Sequence, residues 1–167
     1  MTQLASFNAH TSAIVDLLNA HLKTFDAGAP DLTATPGVVA PGTKGWGWQG
    51  DPGTSKFKPY CIVYPLPGGI FSGDDLGTLG DPSDDASLIW QVTCVGRDRP
   101  QCEWAVDTVN DLLVERATDL IIPNRYVQRI YADMAGGGAR RDDEVQPPVF
   151  VATPRYRMLT TPAAGGS

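Results

Sequence analysis

Apolar residues recur at helical spacing near the start of the chain. Ile14, Leu17, Leu18, Leu22 and Phe25 fall on one face of a segment that predicts a helix over 8–26. Asn8 or Thr11 can cap its start, and Gly28 followed by Pro30 ends it. Strict alternation appears next. Over 87–96, Leu88, Trp90, Val92 and Cys94 point one way, and Gln91 and Thr93 the other. Residues 57–65 also predict a strand, with β-branched and aromatic residues at its centre. A second helix is expected from about Pro100 to Ala117. Its stripe is Cys102, Ala105, Val106, Val109, Leu112 and Leu113, with Pro100 as first helical residue and Asp98 as cap. Trp104 lies off that stripe, on the outer side with Asp107, Asp111 and Glu115. Residues 124–134 predict a third strand and 149–159 a fourth. The fourth carries Phe150, Ala152, Tyr156 and Met158 on one face, and Pro154 marks an edge or a bend in it.

The expected order is thus α-β-β-α-β-β. The simplest α+β arrangement that buries both helical stripes packs the two amphipathic helices on one face of a roughly four-stranded antiparallel or mixed sheet. Two long Gly/Pro-rich arms interrupt the pattern, at about 27–56 and 66–86. Residues 1–160 read as one domain and 161–167 as a flexible tail.

Composition supports a folded chain. The sequence has 167 residues, 42% of them hydrophobic, enough for a core without disulfides or metal. The 18 glycines and 14 prolines call for long irregular segments. A net charge of −6 argues against tight binding of nucleic acid, whose affinity comes from phosphate neutralisation. Cys61, Cys94 and Cys102 contain no CxxC pair and read as buried free thiols, suited to a reducing compartment. Met1 to Asn8 has no signal-peptide pattern, and no apolar run has membrane-spanning length, so a cytoplasmic start and no membrane are expected.

Catalytic chemistry finds no foothold. His10 and His21, the only histidines, lie roughly 16 Å apart along one helix, too far to share a metal ion. Asp74, Asp75, Asp81, Asp84 and Asp85 lack the spacing and the distant Glu of a calcium loop, and read as a solvated acidic loop. Neither histidine belongs to a nucleophile motif such as GxSxG. The runs Pro67-Gly68-Gly69 and Gly136-Gly137-Gly138 lack the remaining residues of a phosphate-binding loop. The expectation is a protein that is not an enzyme, with no catalytic residues, metal or cofactor.

Weight therefore shifts to surfaces. Trp46, Trp48 and Trp104 sit outside the expected core positions, and tryptophan is enriched at interface anchors. The alternative is that each caps the domain's own core. Asp74, Asp75, Asp84 and Asp85 of the acidic loop, and Arg140 and Arg141 of a mixed charge cluster, complete the candidate interface.

The strand Pro59-Tyr60-Cys61-Ile62-Val63-Tyr64-Pro65, followed by Pro67-Gly68-Gly69, carries a family resemblance. So do Trp90-Gln91-Val92-Thr93-Cys94-Val95-Gly96-Arg97 and the helix opening Arg99-Pro100-Gln101-Cys102-Glu103-Trp104-Ala105. Over residues 8–134 this pattern resembles the tail terminator proteins of long-tailed, siphovirus-type bacteriophages, particularly those of actinobacterial hosts. The Gly-Arg step before a helix opening on Gln-x-Glu-Trp is its most specific part.

The resemblance implies a structural virion protein. It would form a ring, a hexamer, at the head-proximal end of the tail, after assembly in the host cytoplasm. Such a ring ends polymerisation of the major tail tube protein and docks the head-tail connector or stopper protein, with DNA only passing through its lumen. An acidic lumen would let DNA slide. Two other readings stay open: a head-tail connector, stopper or minor tail protein, and a small cytoplasmic enzyme or ligand-binding module.

Overall fold

The computed structural model describes residues 7–20, 33–36, 47–72, 85–134 and 138–163. Its elements in chain order are α1 (Phe7–Ala20), β1 (Thr33–Pro36), β2 (Gly47–Trp48), β3 (Phe57–Lys58), β4 (Tyr60–Ser72), β5 (Asp85–Gly96), α2 (Arg99–Glu115), a 3-10 turn (Ala117–Asp119), β6 (Arg125–Met134), β7 (Arg140–Asp142), β8 (Val149–Ala152) and β9 (Arg155–Pro162).

Strand β5 is the spine of a mostly antiparallel sheet. On one side it pairs with β4 from Tyr60↔Val95 to Ser72↔Asp85, with a register shift between Leu66 and Ile70. The other side of β5 holds β9 along Ala86–Gln91 and β8 along Cys94–Gly96. β8 and β9 are therefore one strand course, broken at Thr153 and Pro154. Proline has no N–H for the ladder, and at the break its carbonyl accepts the Val92 amide at 3.0 Å. β6 flanks β9, and β7 flanks β8. β1 adds in parallel to the far side of β4. Strands β5 and β6 both run antiparallel to β9, so they are parallel to each other, with α2 as the crossover and β9 inserted between them.

The α+β class and the element types agree with expectation, but the strand count does not. The described residues form a seven-stranded sheet and a separate two-stranded ribbon, β2–β3, rather than about four strands. Both arms shrink accordingly. The 27–56 arm holds β1 and β2, and the 66–86 arm loses its two ends to the β4–β5 hairpin. The C-terminal boundary moves as well: β9 runs to Pro162, and the Ala163 amide donates to the Asn124 carbonyl at 2.9 Å. Helix α2 stops at Glu115, two residues short of the expected Ala117, where a 3-10 turn takes over.

Helix α2 starts where its sequence dictates. Asp98 Oδ1 accepts the Gln101 amide at 2.9 Å, and Gln101 Oε1 accepts the Arg97 amide at 2.8 Å. Asp98 thus satisfies an amide that the first turn leaves without a helical partner, and Gln101 ties back the residue before the cap. Asp98→Ala is expected to cost about 1 kcal/mol, read as a lower denaturant midpoint at unchanged slope. An unchanged midpoint would show that the cap contributes nothing.

Burial follows the two periodicities. Ile14, Leu17 and Leu18 of α1 and Ala105, Val109, Leu112 and Leu113 of α2 enter one core with Cys61, Val63, Leu88, Trp90, Val92, Cys94, Ile130, Tyr156 and Met158. Trp90 is fully buried at its centre. Its Nε1 donates to Thr11 Oγ1 at 3.0 Å, and its ring stacks on His10 at 5.7 Å. The Tyr156 hydroxyl donates to Asn110 of α2. His10 is thus a core residue, whereas His21 lies outside the described residues. Phe150, expected to point inward with Ala152, is only half-buried. A second, smaller cluster forms from Phe57, Val95 and Val149, with Trp48, Tyr60, Val145 and Val151 packed against it.

Candidate interaction surface

Register partners in an antiparallel sheet share a face, and side chains alternate between faces along each strand. Ala86, Leu88, Trp90, Val92 and Cys94 are buried in the main core, so Ser87, Ile89, Gln91 and Thr93 project to the opposite, outer face. The pairings then define its rows. Leu66, Ile89, Arg157 and Tyr131 lie side by side across β4, β5, β9 and β6. Tyr64, Gln91 and Arg155 form the next row, while Ser87, Leu159 and Arg129 form the row on the other side. Each of these side chains is half-exposed or exposed.

Polar contacts order this face from within. Gln91 Nε2 donates to the Tyr64 hydroxyl and, at 3.3 Å, to Thr93 Oγ1. Arg157 Nη1 donates to Ser87 Oγ at 3.0 Å. The Arg129 guanidinium sits 5.9 Å from the centre of the Tyr131 ring, a cation–π arrangement. The β4–β5 half mixes Tyr64, Leu66 and Ile89 with the uncharged polar Ser87, Gln91 and Thr93, and the β9–β6 half carries Arg129, Arg155 and Arg157. No Asp or Glu is a register partner in these rows; Asp133 falls in the β6 irregularity between Ala132 and Met134, and Asp85 and Asp142 lie at opposite ends of the face.

Helix α2 has the opposite character. Glu103, Asp107, Asp111 and Glu115 recur every four residues, all exposed. Trp104 and Val114 bracket Asp107 and Asp111 on the same side of the helix. Arg99 Nε pairs with Glu103 Oε1 at 2.7 Å, and Arg116 Nη1 lies 3.8 Å from Asp119 Oδ2.

Of the residues expected at an interface, the five that the structure describes do not form one patch. Trp104 is half-buried and packs against the main core. Trp48 meets Phe57 edge-on at 5.2 Å in the smaller cluster, and its buried Nε1 has no hydrogen-bond partner among the described residues. Both side chains pack against their own chain and keep part of their surface exposed. Asp85 is exposed and opens β5, while Val95 of the smaller cluster lies ten residues on, roughly 33 Å away. Asp85 also acts on Arg125, whose charge it favours while burial lowers the guanidinium pKa. That arginine is held by Thr160, through Oγ1 at 3.0 Å and the carbonyl at 3.1 Å. Arg140 and Arg141 are both exposed on β7 but point to opposite faces, since Arg140 pairs with Val151 and Arg141 with Phe150. Arg141 Nε also holds Asp143 at 2.7 Å. Trp46, Asp74, Asp75 and Asp84 lie outside the described residues.

The expectation passed over Arg129, Arg155 and Arg157. Their alternation with Ile130, Tyr156 and Met158 carried the signal, but only the sheet order makes them neighbours.

The thiols are the other chemical cluster. Cys61 and Cys94 are register partners with sulfurs 3.6 Å apart, and Cys102 Sγ donates to the Cys94 carbonyl at 3.5 Å. Contact with Cys61 first, then burial, holds Cys94 protonated well above the ordinary thiol range. Burial pushes Cys102 up to about 12. All three are free thiols buried in the fold.

None of the three is expected to react with a disulfide reagent at pH 8 in the native chain, and all three after denaturation. Rapid native labelling would contradict their burial. Folded Cys102 keeps its proton to about 12, whereas an ordinary thiol loses it near 9.0. Between those values the unfolded state binds fewer protons, so stability present below pH 9 is expected to fall as pH rises toward 12. Among the described residues, no group of three or more His, Cys, Asp or Glu is placed to hold a metal ion.

Compared with known proteins, the chain matches no family model and no curated protein.

Proposed function

We propose that this chain is a structural protein that closes into a ring with copies of itself. The ring ends the tail tube of a siphovirus-type phage and offers the head connector its docking surface. The observation that carries this reading is the separation of two unlike surfaces on one protomer. The acidic row lies on α2, and the arginine-bearing face lies across β9 and β6. Two different patches that fit each other make a head-to-tail contact, which gives a ring where the rotation between copies closes and a filament where it does not.

Both helices cover one side of the sheet in this reading and leave the other for a neighbour. The tail assignment itself rests on the resemblance of the β4, β5 and α2 segments. The net charge of −6 per copy suits a lumen through which DNA slides without adhering.

The test adds purified protein to the tube protein of the same phage during polymerisation. Shortened tubes with a ring at one end, seen by electron microscopy, are the expected result. Tubes of undiminished length with bare ends would reject the reading. Attachment to portal complexes alone would move the protein to the head side of the connector.

A further inference from the structure

We infer that the ring contact joins the carboxylate row of α2 in one copy to the arginines of the outer sheet face in the next. The inference rests on the self-assembly part of the function proposed above and names the surfaces that meet.

Charge segregation is the first argument. In a chain with 13 basic and 19 acidic residues, Arg129, Arg155 and Arg157 have no carboxylate among their register partners; Asp133 of β6 falls in the irregularity between Ala132 and Met134, outside the pairing. Across the molecule, Glu103, Asp107, Asp111 and Glu115 stand on successive turns of α2. Like charges four residues apart destabilise a helix by a few tenths of a kcal/mol per pair. An arginine-bearing partner would turn that repulsion into attraction.

Spacing is the second argument. Four residues of helix rise about 6 Å, so Asp107 and Asp111 repeat at that interval. Two residues of strand rise about 6.6 Å, the interval between Arg155 and Arg157. Arg129 sits opposite Leu159, one further step along, on the neighbouring strand. Three guanidinium levels therefore match the helical repeat to within about 1 Å per step.

Apolar groups also fit around these charges. Val114 is 43% exposed beside Asp111. The arginines are flanked by Ile89, Leu159 and Tyr131. Interfaces bury an apolar core inside a polar rim, and these apolar groups supply core contacts beside the charges.

The sheet edges are poorly suited to the task. β1 has four residues, and β6 carries register shifts at Val127/Arg129 and Ala132/Met134. Short and irregular edges oppose strand-to-strand addition, so a face is the better docking surface. A sheet face with arginines and tyrosines also resembles a platform for single-stranded nucleic acid. The acidic row on the same chain and the net charge favour a second copy instead.

The test uses the full chain and four forms: wild type, Arg129→Glu/Arg155→Glu, Asp107→Arg/Asp111→Arg, and the chain carrying all four changes. The changed side chains are exposed, and thermal melts check that each form folds. Native mass is measured against concentration at low salt, together with binding of a labelled single-stranded oligonucleotide. Wild type is expected to form multimers that added salt weakens. Each double variant should associate about a hundredfold more weakly, and the fourfold variant should recover. Asp107→Asn/Asp111→Asn gives a milder loss if the reversal unfolds the helix.

A wild type that stays monomeric, or multimers indifferent to both reversals, would overturn the contact. Oligonucleotide binding that the arginine variant abolishes, with multimers unchanged, would give the face to nucleic acid and overturn it equally. Tubes still capped by chains with one face reversed would sink this contact while leaving the tail reading intact. Wild-type multimers that leave tubes uncapped would sink the tail reading alone.

Discussion

Trp90→Ala is expected to lower the melting temperature by roughly 10 °C or more, the largest loss for any single core truncation in this chain. Trp90 is fully buried in the middle of β5, between α1 and the rest of the core. Truncating a buried tryptophan costs about 3–5 kcal/mol, because the transferred apolar area is lost and a cavity remains. The His10 ring would lose its stacking partner, while Thr11 Oγ1 would keep its 2.8 Å bond to the Phe7 carbonyl.

A companion change isolates the polar part. Thr11→Val keeps the shape but strands the Trp90 Nε1 donor in the core, a loss of roughly 1–3 kcal/mol. Melting followed by circular dichroism checks both. A Trp90→Ala chain within a degree or two of wild type would show that α1 does not depend on this contact.

Gly96→Ala is expected to be nearly as damaging, for a different reason. A Cβ at Gly96 would stand 2.5 Å from the Cys102 amide nitrogen, 2.9 Å from Cys102 Cα and 3.0 Å from the Gln101 carbonyl carbon. All three are backbone atoms of the first turn of α2, so no side chain can swing aside. The helix start would have to lift from β5, disturbing the Asp98 cap and the Cys102 contact with the Cys94 carbonyl. The cost is roughly 3 kcal/mol, at the upper end of what overpacking inflicts.

Hydrogen exchange should show the first turn of α2 opening faster, alongside a lower melting temperature. Gly50→Ala is the contrast: its added Cβ meets only the Ser55 side chain, at 3.2 Å, and little change is expected. Equal effects at the two positions would remove the steric explanation.

Elements whose signals are local were legible in the sequence. Asp98 and Pro100 announce the start of α2, and the alternation from Leu88 to Cys94 announces β5. β1 and β7 escaped notice because Thr-Ala-Thr-Pro and Arg-Arg-Asp have no apolar alternation; pairing with β4 and β8 makes them strands. Pro67-Gly68-Gly69 reads as a turn, yet β4 passes through it because β5 offers partners on both sides of the register shift.

Packing partners depend on the fold rather than on residue type: Trp48 and Trp104 are half-buried, each against a cluster of its own chain. The acidic side of α2 was readable from Asp107, Asp111 and Glu115. The arginine face was not, because Arg129 and Arg157 meet only through the pairing of β6 with β9.

The insertion of β9 between β5 and β6 also sets a timetable for synthesis. The ribosome delivers β4, β5, α2 and β6 before β9, so a nascent chain holds two long strands with a gap between them. Among the described strands, β6 has no sheet neighbour other than β9. Until Arg155–Pro162 emerges, the Ala86–Gln91 stretch of β5 on one side and both sides of β6 present unpaired backbone, the feature that makes partly made chains associate wrongly. Premature release of this protein therefore yields an aggregation-prone fragment rather than a smaller stable domain.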